Sequence, residues 1–270
     1  MNIYITGDTH GMIEVHRILD NVHAFPQLRT LTPEDVVVVL GDFALPWMAD
    51  EREKEIIAGL AAKPWTTAFI DGNHECFPAL ASMPTANRWG ADVGVIAPNI
   101  LHLRRGRVYD IGGTTFWCMG GALSIDRAMR VRGVTWFEEE MLSRADEKRG
   151  LEALAARDFT VDYVLTHAGP CGAFPENNLP YYYQNDAVAR YLDYVYRCLA
   201  FRRWFVGHYH KDHAGKRIRL LYQDFVRITP DSDGGVYRDS VVFHGSSRVR
   251  LGFTGSRYPV AKDDSETEEM

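Results

Sequence analysis

A chain of 270 residues, 46% of them apolar, has enough material for a packed core, as one large domain or two small ones. Its formal net charge of −6 provides no global basic field, which argues against tight electrostatic binding of nucleic acid as the main role. No apolar stretch approaches the ~20 residues a membrane-spanning helix needs, and Cys76, Cys118, Cys171 and Cys198 lie too far apart for a zinc knuckle or redox pair.

The first predicted strand, residues 2–6, runs almost from Met1 into Gly7-Asp8-Thr9-His10-Gly11. That leaves no room for a cleavable leader and predicts a cytoplasmic protein. Ile13, Ile18, Leu19 and Val22 then recur with helical spacing. Val36 to Leu40 reads as a strand buried on both faces and ends at Gly41-Asp42. A helix is predicted over residues 50–62, and a third strand, 66–70, stops at Asp71-Gly72-Asn73-His74-Glu75. This β-α-β-α-β order predicts a parallel sheet with right-handed crossovers and ligand groups at the carboxyl ends of its strands.

Residues 100–104, 107–111 and 114–119 read as an antiparallel meander that opens a second sheet. An irregular stretch with Arg127, Arg130, Arg132, Trp136 and Phe137 follows, then a helix over 144–157. The strand 161–166 delivers His167, and the proline-bearing loop after it, with Tyr181-Tyr182-Tyr183, is long enough to cover a site. A helix over 187–199 leads to the strand 203–206 and Gly207-His208-Tyr209-His210. Residues 216–222 and 225–228 read as closing strands, with further strands at 241–243 and 248–253. One domain over residues 1–260 is expected, with an acidic disordered tail at 261–270.

Seven donors, Asp8, His10, Asp42, Asn73, His167, His208 and His210, thus follow the ends of predicted strands. Mixed oxygen and imidazole donors suit Mn, Fe or Zn better than Ca or Mg. Seven exceed the three or four of one catalytic zinc, but they fit two ions that share a carboxylate. Such a pair, ~3.5–4 Å apart, can hold a hydroxide nucleophile and clamp a phosphoryl group. Two divalent ions outweigh Asp8, Asp42 and a hydroxide, so the site stays positive towards phosphate. Gly72 lets the chain turn so that Asn73 and His74 enter one crevice, with Asp71 placed to orient the His74 imidazole. His16, His23, His102 and His244 read as surface or core residues, and His213 as exposed or behind the ligands. Trp47 and the tyrosine run read as packing, with base stacking as the alternative.

In that order the residues resemble the calcineurin-like metallophosphoesterase family, whose blocks are Asp-x-His, Gly-Asp, Gly-Asn-His-Asp/Glu, a strand-end His and Gly-His-x-His. All five stand between Asp8 and His210, about three quarters of the chain. The middle segment and tail are similar to small bacterial or phage members. The resemblance implies an α/β fold, a four-layer αββα sandwich of two mixed β-sheets flanked by helices, with the metal site at strand carboxyl ends. It implies two divalent transition ions per chain, Mn favoured over Fe or Zn. Asp8, His10, Asp42 and His210 would hold one; Asp42, as the bridge, with Asn73, His167 and His208 would hold the other. His74 would donate to the phosphate or protonate the leaving oxygen, with Asp71 as its partner.

Many members continue the second block as Gly-Asp-x-x-Asp-Arg, but Leu45 and Pro46 stand here. That argues against the protein Ser/Thr phosphatases and the dinucleoside polyphosphate hydrolases, and it makes Arg127, Arg130 and Arg132 candidate phosphate contacts. The expected activity is binuclear, metal-dependent phosphoester hydrolysis by a metal-bridging hydroxide. The enzyme would be a phosphodiesterase or phosphomonoesterase, with His10 tilting the expectation to diesters. A nuclease on DNA or RNA and a non-catalytic protein-binding module are the alternatives. The expected partner is the phosphoester substrate, with nucleic acid only as substrate and no membrane.

Overall fold

The computed structural model describes residues 1–180, 186–230 and 237–243. The expectations for Tyr181 to Tyr183, His244, the strand at 248–253 and the acidic tail lie outside these residues. The first sheet is founded on three parallel neighbours, β1 (Ile3–Thr6), β2 (Val36–Val39) and β3 (Thr66–Phe69). β-Branched valines fill β2, and all four are buried, as a central strand covered on both faces requires. β4 (Thr85–Arg88), β5 (Ala91–Ala97) and β6 (Ile100–Leu103) extend this sheet past β3.

The second sheet contains β7 (Arg107–Ile111), β8 (Thr114–Met119), β9 (Tyr163–Thr166), β10 (Arg203–Val206), β11 (His213–Ala214) and β12 (Ile218–Leu220). Its spatial order is β11-β12-β10-β9-β8-β7, parallel from β8 to β12 and antiparallel at both edges. The chain then returns to the first sheet with β13 (Phe225–Pro230), antiparallel to β1, and β14 (Tyr237–Phe243).

Period-two alternation sorts the side chains into layers. Between the sheets, Ile3, Ile5, Val36, Val38 and Leu40 pack with Phe116, Tyr163, Leu165 and Phe205. The opposite face of the first sheet, with Tyr4, Val37, Val39 and Phe69, is covered by α1 (His16–Leu19), α2 (Glu51–Ala61) and α3 (Phe77–Ser82) through Ile18, Leu60 and Leu80. Trp117, Val164 and Trp204 on the outer face of the second meet α4 (Arg144–Ala155) and α5 (Ala187–Cys198) through Leu154, Val188, Leu192 and Val195. Two mixed sheets flanked by helices are the result. Asp50 caps α2, Ser143 and Asp146 form a capping box on α4, and Asp186 caps α5. Among the described residues no helix is long and apolar enough to cross a membrane.

Two expectations are corrected and one hairpin is added. The helix expected over Ile13 to Val22 is a 3-10 turn, Gly11–Ile13, followed by the four residues of α1. Glu14 and Arg17 are buried there, and Arg17 donates to the Asp8 carbonyl, so the segment is shaped by support of the β1 end rather than by helical periodicity. β6 belongs to the first sheet, where Ile100 lies opposite Thr67 of β3, and does not open the second. The β4–β5 hairpin was unforeseen because β4 is exposed throughout and has no apolar alternation to reveal it.

Phe205 is fully buried between the sheets, its ring centroid 5.8 Å from that of Tyr163. Phe205→Ala should cost about 3–5 kcal/mol in urea unfolding. Tyr194→Ala on the exposed side of α5 should cost under about 0.5 kcal/mol; equal losses would contradict this placement of the core.

Candidate metal centre

The carboxyl ends of β1, β2, β3, β9 and β10 deliver Asp8 and His10, Asp42, Asn73, His167, and His208 and His210 into one crevice. The chain must turn sharply past each strand to do this. His10, Asp42, His208 and His210 accordingly have φ of 44°, 49°, 64° and 47°, a left-handed backbone costly for residues other than glycine. The His10 amide donates to the Asp42 carbonyl at 2.8 Å, which locks two of these turns together. Close approach explains two glycines: a Cβ on Gly41 would stand 2.3 Å from His167 Nδ1, and one on Gly72 would stand 2.1 Å from Asp42 Oδ1.

The donors form two groups on either side of Asp42. In the first, Asp8 Oδ2 lies 3.1 Å from His210 Nε2 and 3.8 Å from His10 Nε2, and the two Nε2 atoms are 2.9 Å apart. Asp42 Oδ2 lies 3.8 Å from His10 Nδ1. In the second, His167 Nε2 lies 3.3 Å from Asp42 Oδ1 and 3.1 Å from Asn73 Oδ1. His167 Nδ1 donates to the Leu40 carbonyl at 2.6 Å, which leaves Nε2 for the crevice. The His208 ring packs against His167 with centroids 5.0 Å apart, and its amide donates to Asp8 Oδ1 at 3.0 Å.

These residues fit a metal ion. One ligand atom each from Asp8, His10, Asp42 and His210 lie within 4.8 Å of one another. Asp8 Oδ2 is buried, makes no well-aligned hydrogen bond among the described residues and faces the Nε2 atoms of His210 and His10, a place where a cation would satisfy oxygen and imidazoles together. The electrostatics agree. Burial opposes ionisation of Asp8 and Asp42, yet His167 holds both below the ordinary carboxylate range, Asp42 well below it. Burial likewise works against charge on His167, but Asp42 and Asp8 push it up to about 10, and Asp8 raises His210. Burial lowers His10, and lowers His208 to about 3. The carboxylate pair requires positive charge, from protons or from metal.

His74 belongs to the rim. Its amide donates to Asp42 Oδ1 at 2.7 Å and its ring packs edge-on to His10. Arg130 reaches it: Nη2 stands 2.7 Å from His74 Nδ1 and also contacts Nε2, while Nε pairs with Asp126 at 3.0 Å. Burial and then Arg130 lower His74 to about 4, against the pull of Asp42. The other two candidate arginines are not brought here. Arg127 is exposed, and Arg132 is exposed and paired with Glu138 at 2.7 Å. Asp71 is not the partner of His74: its carboxylate bonds to Arg105 Nε at 2.7 Å and to His102 Nε2 at 3.1 Å. Asp71 is buried with these partners, whereas the His74 ring meets Arg130. His213 is exposed and contacts the Asn178 carbonyl, and Trp47 packs by Phe137.

Several supporting residues were not anticipated. Glu75 accepts the amides of Phe43 and Ala44 at 2.9 Å and of Gly72 at 3.2 Å, which ties the β2 and β3 turns together. Burial, with Asp42 and Asp71, raises its carboxyl well above the ordinary value. The position was visible in the third block, but its role was not. Ser124, Glu140 and Arg105 carried no signal at all, since nothing in their local pattern links them to Asn73 or Asp71. Tyr222 stacks on His210 with centroids 4.7 Å apart.

A family model described as calcineurin-like phosphoesterase matches residues 1–212. No curated protein matched the chain. Among solved structures it is similar to a putative 5'-nucleotidase from Staphylococcus aureus, in complex with alpha-ketoglutarate, at 12% identity and a TM-score of 0.44, covering 95% of this chain and 56% of that one. It is similar also to the sulfate thiohydrolase SoxB of Thermus thermophilus, in complex with glycerol, at 9% identity and a TM-score of 0.44, covering 90% and 56%. The chain therefore spans little more than half the length of either protein. The family match runs through every block from Asp8 to His210, and the chain belongs to the calcineurin-like phosphoesterase family.

Proposed function

We propose that the chain hydrolyses phosphoesters with two divalent transition-metal ions that share Asp42. Asp8, His10 and His210 complete one site; Asn73, His167 and His208 complete the other. The observation that carries this reading is the splay of one carboxylate, with Asp42 Oδ1 3.3 Å from His167 and Oδ2 3.8 Å from His10. A single buried side chain thus faces both donor groups. Imidazole, carboxylate and amide donors together suit Mn, Fe or Zn, and manganese is the first ion to test. When bound, the ions would supply the hydroxide nucleophile and the charge that holds the phosphoryl group.

The chain's own residues supply the rest. Arg130, its side chain only 7% exposed, sets a fixed positive charge against His74 and takes the place of the charge that Leu45 and Pro46 do not carry. His74 is neutral at pH 7 in the free chain, because burial and Arg130 both disfavour its charge. A phosphate dianion seated on Arg130 offsets the guanidinium charge and attracts a proton to His74, which lets it carry that proton to the leaving oxygen. Both monoesters and diesters fall within this chemistry, and the net charge of −6 disfavours a long nucleic acid as substrate.

Calorimetric titration of the metal-free chain with Mn²⁺, in buffers of differing ionisation enthalpy, counts ions and protons together. The wild type should take up about two ions and release at least one proton at pH 7, because His167 is protonated up to about 10 and must give up that proton to become a donor. Affinity should therefore rise with pH through the neutral range. Asp42→Asn should lose both tight sites and roughly 10²-fold or more of the phosphoester turnover, a heavier loss than His10→Ala. Saturation at one ion, or an Asp42→Asn protein with both ions and near wild-type turnover, would overturn the reading.

His74→Ala should keep both ions yet lower the rate by roughly 10²–10⁴ for leaving groups of high pKa. The loss should be smaller for para-nitrophenyl phosphate, whose leaving oxygen needs little protonation. Rates across esters of graded leaving-group pKa measure this; an equal loss for every ester would refute the proton-donor role.

A further inference from the structure

Asn73 presents the metal centre with an ambiguity that an aspartate would not. One end of its amide, Oδ1, can bind a cation, whereas the other, Nδ2, carries two hydrogens and repels one. Rotation by half a turn exchanges the two, so something outside the residue must choose. Asn73 Nδ2 donates to Ser124 Oγ at 3.0 Å while Oδ1 faces His167 Nε2 at 3.1 Å. Ser124 Oγ in turn donates to Glu140 Oε2 at 2.5 Å, and the Ser124 amide donates to Glu140 Oε1 at 2.9 Å.

The direction of this relay is forced. A hydroxyl has one proton, and Ser124 Oγ gives it to Glu140 Oε2. Towards Asn73 the hydroxyl oxygen can then only accept, which selects the NH₂ end of the amide and turns the oxygen to the crevice. Asn73, Ser124 and Glu140 are all buried, at 4%, 2% and 0% exposure, so no solvent competes for these bonds. Glu140 is itself held. Arg105 Nη1 donates to the Met141 carbonyl at 3.0 Å, and Nη2 donates to the carbonyls of Glu139 at 2.8 Å and Glu140 at 3.4 Å. Arg105 is anchored by Asp71, two residues before Asn73.

We propose that Ser124 and Glu140 are positioning residues that fix the Asn73 amide with its oxygen towards the second metal ion, and that Asp71 and Arg105 hold Glu140 in register for this task. The proposal rests on the two-ion reading above. It predicts a loss confined to one of the two ions, which a general weakening of the fold would not produce.

The test is Mn²⁺ titration followed by calorimetry, with thermal unfolding of each metal-free protein as the control for folding. In Ser124→Ala the dissociation constant of the second ion should rise roughly 10–100-fold, the range for loss of an orienting partner of a ligand, while the first ion is unaffected. Glu140→Gln keeps the side-chain volume but offers an NH₂ as well as an oxygen, so Ser124 loses its fixed polarity and the same selective weakening should follow, even if Ser124→Ala does not fold. The decisive comparison is Ser124→Ala made on Asn73→Asp. A carboxylate offers oxygen in either orientation, so the cost of Ser124→Ala should vanish there. An undiminished cost on Asn73→Asp, equal weakening of both ions, or no weakening in either single variant would overturn the proposal. A wild type that saturates at one ion would instead fail the two-ion reading itself, before any variant is compared.

Discussion

Two carboxylates buried side by side, those of Asp8 and Asp42, set the terms for the rest of the molecule. An isolated buried carboxylate is costly, and a neighbouring pair is worse unless donors and positive charge surround it. The chain meets this in layers. The amides of His208 and His74 donate to Asp8 Oδ1 and Asp42 Oδ1 at 3.0 and 2.7 Å. His167 faces the same Asp42 oxygen, and His210 faces the other oxygen of Asp8. Each amide is available only because its strand has ended and its backbone has turned, which is why left-handed φ values gather at His10, Asp42, His208 and His210. The two-sheet core is what holds those turns against their strain.

The outer supports follow the same logic at longer range. Glu75 joins the β2 and β3 turns through three amides, and Arg17 fixes the end of β1 through the Asp8 carbonyl. Asp71, Arg105 and Glu140 join the β3 turn to the segment around residues 139–141. That segment lies just beyond Arg130, so the stretch that carries positive charge to His74 is fastened to the turn that bears His74. A candidate ligand set with four residues in left-handed backbone needs such redundancy, since loss of one tether would let a side chain drift from its place.

Much of this was legible because strand ends announce themselves. Val36 to Leu40 stops at Gly41-Asp42, and residues 66–70 stop at Gly72-Asn73-His74; the structure brings all seven candidate residues to one crevice from such stops. Sheet membership was harder. Ile100 to Leu103 has the same local pattern whether it pairs with β3 or with β7, and only long-range packing decides for β3. Adjacency misled at Asp71, since neighbouring side chains at a strand end point apart, and its true partners, His102 and Arg105, lie 31 and 34 residues away. Arg130 could be named only as one of three arginines, and contact with His74 separates it from Arg127 and Arg132. Ser124 and Glu140 were invisible because a buried serine and glutamate carry no pattern of their own.

The central claim, that Asp42 stands between two ions, is tested most directly by crystallography of the Mn²⁺-loaded protein at an X-ray energy where manganese scatters anomalously. Two anomalous peaks about 3.5–4 Å apart are expected, one beside Asp8, His10 and His210 and the other beside Asn73, His167 and His208, with Asp42 oxygens towards both. A single peak, or a second peak remote from Asp42, would contradict the account.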